Sequence, residues 1–344
     1  MKNIDLRSDT VTLPTQAMKE AIFNAELGDD VFSDDPTTIR FEQNAAELVG
    51  KEAALLVPSG TMGNLACVLT HCARGSEVIL GDKAHQFLHE AGGMSALGGI
   101  HPHTIPNQPD GTMRLEDIEA AVRGDNEHWP RTRLVCLENT HNTCGGVPLT
   151  PEYTDSVADL AKRHGLSVHL DGSRIFNSAV AQGVNVKEMT RSVDSMTFCL
   201  SKGLSAPIGS VVCGSREFIV EARRNRKILG GGMRQTGVIA AAGQIAIDQM
   251  LVRLAEDHDN ALRLAEGIAK TPGLSCDPEQ IKTNLVYFDL VGGGVTPEEF
   301  LKKVVEKGIN FLITGPSRFR MVTHHRITEG DIDAALAAIG EVMG

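Results

Sequence analysis

The sequence predicts an α/β fold, with a large N-terminal domain on a mainly parallel sheet and a smaller C-terminal α+β domain. Three observations carry that expectation. Short apolar runs alternate with longer helix-like segments through the middle of the chain, as in βαβ units. Past residue 235 the texture changes to a long stretch of Ala, Leu, Ile and paired charges. A length of 344 residues corresponds to roughly two domains of about 150 each.

The elements follow in order. Strands are expected at Ala54–Val57, Val78–Leu80, Leu134–Leu137, Ser167–Leu170, Ser195–Leu200 and Ser210–Cys213, each a short apolar run. Between them, Thr61–Ala73 and Glu152–His164 read as helices, with Pro148 and Pro151 marking the turn before the second. Gly165 closes that helix as its C-cap, and the next strand starts at once. Gln235–Lys270 reads as a long helix broken once near Gly243 and ended by Pro272–Gly273. Strands near Leu285–Leu290 and Arg320–Thr323 belong to the smaller domain. The boundary is expected near residue 245, giving domains 1–245 and 246–344.

Composition excludes several functions. A formal charge of −11 disfavours nucleic acid, whose phosphates require clustered Lys and Arg. With 4% aromatic residues there is little to stack bases on either. No apolar stretch approaches the ~18 residues of a membrane span, and MKNIDLRSDTV lacks the apolar run of a signal peptide. Seven cysteines form an odd set without a C-x-x-C pair, which speaks against a disulfide framework or a zinc knuckle. A reducing cytoplasm is the expected compartment.

The ends of parallel strands are where such sheets bind ligands. Ser59-Gly60-Thr61 follows a strand and opens a helix, so its free N–H groups form an anion cradle suited to phosphate. It lacks the G-x-x-x-x-G-K of a nucleotide loop, and GGGMRQTG at 230–237 fails G-x-G-x-x-G. Asp171 ends the strand Ser167–Leu170 and Arg174 follows closely; an isolated Asp-Gly is usually a turn. Lys202 ends the next strand candidate; alone, it would simply snorkel to solvent. A phosphate cradle, a strand-end acid, a strand-end lysine and an arginine together are what pyridoxal phosphate needs.

The remaining candidates are weaker. His85 and His89 stand four apart in GDKAHQFLHEAGG, but without a Glu after the first His or a third ligand no metal is expected. His101/His103 and His324/His325 read as surface or loop residues. The acidic GDDVFSDDP misses calcium-loop spacing and reads as a solvated loop.

Several segments carry a resemblance: IDLRSDTVT (4–12), GDDVFSDDPT (28–37), KEAALLVPSGTMGN (51–64), LENTHN (137–142), HLDGSRIFN (169–177), CLSKGL (199–204), GGGMRQ (230–235) and RMVTHH (320–325). In order and spacing they resemble the low-specificity L-threonine aldolases, pyridoxal-phosphate enzymes of the aspartate-aminotransferase fold. The resemblance implies a transferase-like large domain and retro-aldol cleavage of L-threonine or L-allo-threonine to glycine and acetaldehyde. By that likeness Lys202 is the covalent anchor, Asp171 faces the pyridine nitrogen, and Gly60 and Thr61 beside Ser59 hold the phosphate. His85 stacks on the ring and reaches the substrate hydroxyl. Arg174 serves the cofactor oxygen or the substrate carboxylate, and Ser8 and Arg320, rather than Arg318, clamp that carboxylate. His128 matches a second histidine close to the substrate. Lys227 and Arg234 resemble residues near a subunit boundary in a homotetramer, a dimer of dimers.

Three departures from the family's pattern stand out. Phe32-Ser33 stands where Tyr-Gly is common, His89 where Tyr or Phe often lies near the β-substituent, and Ser173 where Ala is usual. The first two bear on the preference between threonine and allo-threonine. For the base that takes the hydroxyl proton, His85, His128 and a phosphate-held water are equal candidates. A β-eliminating or serine hydroxymethyltransferase-like enzyme and a non-catalytic, cofactor-binding regulator are the alternative functions.

Overall fold

The computed structural model describes residues 3–292 and 294–344. Its strands in chain order are β1 (Ile4–Asp5), β2 (Ala53–Val57), β3 (Ser76–Gly81), β4 (His101–Ile105), β5 (Arg131–Glu138), β6 (Ser167–Asp171) and β7 (Ser195–Cys199). They continue with β8 (Ser210–Gly214), β9 (Leu274–Ser275), β10 (Leu285–Leu290), β11 (Ile309–Asn310), β12 (Leu312–Ile313) and β13 (Arg318–Val322). The main sheet has the order β2-β8-β7-β6-β5-β3-β4. Only β8 runs against its neighbours; the other pairings are parallel.

Its central strands read as unbroken apolar runs because both faces are covered. Ile79, Val135, Leu137, Val168 and Leu170 enter one core, whereas Val78, Leu80, Leu134 and Cys136 enter another on the opposite face. That is the alternation that a pleated strand imposes. A four-stranded sheet, β12-β13-β10-β9, carries a separate core in which Phe288, Phe300, Phe311 and Phe319 pack ring against ring. The N-terminal strand also belongs there: β1 pairs with β11, and Ile4 and Leu6 are buried in that core.

The structure differs from four sequence expectations. His101 is exposed, as a surface residue should be, but it and the half-buried His103 stand on the edge strand β4, facing the buried Glu77, and not in a loop. A strand holding a proline and two histidines gives no apolar signal, and at a sheet edge it needs none. The long helix does not break at Gly243, which sits inside helix Gly237–Ile245; a Cβ there would lie 2.8 Å from Phe41. The break comes at residues 251–253, where the helix axis turns by 66°. The acidic loop is partly interior. Asp30 holds Arg223 and Arg226, and Asp35 caps helix Pro36–Leu48 while accepting from the Gly28 and Gly237 N–H groups. His324 is buried, with Nε2 against the Asp5 carbonyl. Among the described residues, no single helix is long and apolar enough to cross a membrane.

Candidate active site

Register brings three strand ends together. Glu138 of β5 pairs with Asp171 of β6, and Asp171 pairs with Thr197 of β7. The Asp171 carboxylate is almost fully buried and fixed from both sides. Ser173 donates to Oδ1 from its N–H (3.1 Å) and its hydroxyl (2.8 Å), and Asn64 Nδ2 donates to Oδ2 at 2.8 Å. Burial pushes this carboxyl up, but the charges of Lys202 and His85 and the bonds from Ser173 and Asn64 outweigh it, so it titrates below the ordinary value.

Lys202 lies in the tight turn between β7 and β8. Its carbonyl accepts from the Ser205 N–H (2.9 Å) and the Thr12 hydroxyl (3.0 Å). Ser205, which takes φ +65, is braced by His325 at 2.7 Å. The ammonium lies close enough to lower both Asp171 and Asp9 electrostatically.

Across the sheet, Ser59 caps helix Gly60–His71 by accepting from the Met62 N–H. The N–H groups of the first turn have no partner within the helix. Gly60 is required by packing, since a Cβ would sit 2.9 Å from Cys199 Sγ. His85 opens a short helix after β3. Its N–H donates to Glu138 at 2.7 Å, and its Nδ1 stands 2.9 Å from Glu90. His89 is exposed beside it, with ring centroids 5.4 Å apart.

The two arginines differ. Arg174 spends Nε and Nη2 on Asp9, both at 2.7 Å in a buried fork, leaving Nη1 3.5 Å from Asn142. Arg320 reaches Asn142 (3.2 Å) and the Arg7 carbonyl (3.3 Å), next to Ser8, while its Nε is buried without a partner. Of the two, Arg320 is the better placed to receive a carboxylate.

One predicted residue stands apart. His128 lies on an exposed loop before β5, and seven strand rises of about 3.3 Å put it more than ~20 Å from the Glu138 end. A single chain therefore does not bring His128 to the cluster. Sequence reasoning also missed Asp9, Asn64, Glu90, Glu138 and Asn142. All five fall inside quoted segments, IDLRSDTVT, KEAALLVPSGTMGN, GDKAHQFLHEAGG and LENTHN, but nothing local marks them as partners of Arg174, Asp171, His85 and Arg320.

The donor set fits pyridoxal phosphate: an ionised buried acid, a lysine amine next to it and a helix N-terminus without a side chain at Gly60. Fold and site define a pyridoxal-phosphate enzyme of the aminotransferase-like α/β class. Comparison with known proteins narrows this. The chain belongs to the β-eliminating lyase family, whose model matches residues 5–291. It is 49% identical to low-specificity L-threonine aldolase 1 of Arabidopsis thaliana, over 100% of this chain and 97% of that protein. It is 46% identical to the low-specificity L-threonine aldolase of Escherichia coli K12, over 93% of each. In fold it is similar to a threonine aldolase from Leishmania major, with TM-score 0.85 at 18% identity over 99% of this chain and 100% of that one. A serine palmitoyltransferase from Sphingomonas wittichii shares the fold at TM-score 0.79 and 16% identity, over 99% of this chain and 87% of that one.

Proposed function

We propose that this chain cleaves L-threonine, L-allo-threonine and related β-hydroxy-α-amino acids to glycine and an aldehyde. The observation that carries this is a buried, ionised Asp171 facing Lys202 at neighbouring strand ends, in a chain related over its whole length to low-specificity L-threonine aldolases. When bound, pyridoxal phosphate supplies the electron sink for the bond that breaks. Lys202 would hold it through its amine. Asp171 keeps a proton on the ring nitrogen. Ser59, Gly60 and Thr61 receive the phosphate, His85 covers the ring, and Arg174 contributes Nη1 near the cofactor or substrate oxygens. Ser8 and Arg320 would hold the substrate carboxylate and so fix which bond at Cα is the one that breaks. His89 lies where it would meet the β-substituent. A base then takes the hydroxyl proton, acetaldehyde departs, and a proton returned to Cα gives glycine.

His85 is the base candidate whose ring lies beside the acid pair. For His128 to act, a second copy of the chain must bring it. The proposal includes a homotetramer, a dimer of dimers, as the resemblance to the aldolases implies, working in the cytoplasm. In support, Phe23, Phe32, Val220 and Ile228 are large apolar side chains left exposed. A groove of about 1420 Å³ that includes Val220, Lys227 and Ile228 also shares none of its lining residues with the cluster.

The test is to incubate the protein and pyridoxal phosphate with each threonine isomer, measuring glycine and, through alcohol dehydrogenase, acetaldehyde. Equimolar release from either isomer is expected. Pyruvate and ammonia instead, or no product with the cofactor bound, would overturn the assignment.

A further inference from the structure

Among the described residues, no carboxylate pairs with Arg320. The acids of the rim are engaged elsewhere. Asp9 takes the Arg174 fork, Asp171 takes Ser173 and Asn64, and Glu90 takes Asn64 and His85. Glu138 takes two backbone N–H groups, those of His85 and Asn142. What meets Arg320 instead is a neutral oxygen: Asn142 Oδ1 accepts from Arg320 Nη1 at 3.2 Å and from Arg174 Nη1 at 3.5 Å. We infer that Asn142 is a positioning residue for substrate recognition, its amide oxygen aiming the Arg320 guanidinium while leaving that charge free for the substrate carboxylate. This deepens the aldol-cleavage reading and rests on it.

Guanidinium groups have no acceptor, so the end of the amide turned toward both arginines must be its oxygen. The residue is held from two sides. Its N–H donates to Glu138 Oε1 (2.9 Å), which ties it to the end of β5. Its carbonyl accepts from the Tyr287 hydroxyl (3.1 Å) and the Gly145 N–H (3.2 Å). Tyr287 stands opposite Arg320 in the β10–β13 register, and the Arg318 guanidinium lies 5.0 Å from its ring centre. Asn142 is therefore fixed to the main sheet through Glu138 and to the second sheet through Tyr287, and it meets one arginine from each. The chain then turns back through Gly145 and Gly146, at φ +102 and +72, and His141 bridges Val147 across that turn.

Charge explains why the residue is an amide. Arg174 and Arg320 bring two positive charges to one oxygen, and Asp9 answers only the first, through Nε and Nη2 of Arg174. On Arg320 the matching edge holds no carboxylate. Its Nε is buried without a partner, and Nη2 has only the 3.3 Å contact to the Arg7 carbonyl. That edge is the planar fork that a carboxylate takes with two parallel bonds. By engaging Nη1, Asn142 fixes the plane and direction of the fork without neutralising it. A carboxylate at this position would answer the charge itself and compete with the substrate, whereas a hydrocarbon would leave Arg320 free to swing.

The test uses wild type, Asn142→Asp, Asn142→Ala and Arg320→Ala as holoenzymes. Binding of glycine and of glycinamide, which keeps the amine but lacks the carboxylate, is read from the change in cofactor absorbance. Tm, and kcat and KM for L-threonine, are measured beside it. Asn142→Ala should weaken glycine binding and raise KM about tenfold, with kcat and glycinamide binding changed by less than about threefold. Asn142→Asp should weaken glycine binding about a hundredfold, with Tm no lower than that of wild type, because its own charge takes the substrate's place. Arg320→Ala should lose the preference for glycine over glycinamide. If Asn142→Asp binds glycine as well as wild type or as Asn142→Ala, the inference is overturned, even if Asn142→Ala folds poorly. Parallel loss of glycine and glycinamide binding marks a purely structural role and also overturns it. An Arg320→Ala protein that still prefers glycine removes the carboxylate from Arg320, and the inference falls while aldol cleavage stands. Absence of glycine and acetaldehyde from wild type overturns the cleavage reading, and the glycine and glycinamide comparison then still decides the role of Asn142.

Discussion

Replacing Asp9 by Asn tests how the substrate end of the site is held. Asp9 is fully buried and takes two 2.7 Å bonds from Arg174 and one of 3.2 Å from Asn284. It thereby joins the turn after β6 to the residue just before β10. Breaking a buried ion pair by neutralising one partner costs about 3–5 kcal/mol, because the other charge is left uncompensated. An unfolding entropy of about 2.1 cal/mol/K per residue over 344 residues comes to about 0.7 kcal/mol/K. The expected fall in Tm is therefore about 4–7 °C, with a raised KM because Arg174 loses its anchor. Burial alone would raise the Asp9 carboxyl, but the charge and bonds of Arg174, helped by Lys202 and Asn284, hold it well below the usual range. A depressed carboxyl contributes its stability above the unfolded value of about 3.9 and loses it as pH falls through the folded one. The gap in Tm between wild type and variant should stay constant from neutral pH down to about 5 and narrow only below about 4. Thermal scans of both holoenzymes across that range, with KM at neutral pH, measure this. A Tm within a degree or so of wild type, or a gap that widens in acid, would refute the reasoning.

Three further outcomes are expected. Asp171→Asn should still bind the cofactor, by its absorbance, while kcat falls by about a hundredfold or more; near-normal turnover would exclude the proposed acid. Ser173→Ala removes the 2.8 Å hydroxyl bond to Asp171 but leaves the backbone bond. It should move the Asp171 carboxyl up, so that activity is lost at a higher pH on acidification, with kcat/KM reduced by no more than about tenfold. All seven cysteines are free, and only Cys144 and Cys276 are not buried; burial pushes each of these two up to about 11. Iodoacetamide on the native protein near pH 8 should label those two slowly and the other five not at all, by peptide mapping, and rapid labelling of Cys67, Cys136 or Cys213 would contradict the packing.

The strands of the main sheet were legible because their signal is local. Val78–Leu80 and Ser167–Leu170 are apolar on both faces, and that pattern needs no knowledge of neighbours. His101–Ile105 was not legible, since an edge strand can be polar and pairs through its backbone. Lys202, Asp171 and the Ser59–Thr61 turn could be read because strand ends in a parallel sheet gather at one rim. Glu90 could not, because its meaning lies in Asn64 and His85, which reach it from different elements.

Sequence alone determined the alternation of strands and helices, the cofactor-binding residue types and their order, since these rest on apolar period, turn chemistry and chemical type. Tertiary structure alone decided the pairings: Asp9 with Arg174, Glu90 with His85, Asn64 between two acids, and His128 at the far end of β5. Asp9 and Arg174 are 165 positions apart. Contacts across such separations are set by register and packing, to which no local pattern of residues is sensitive.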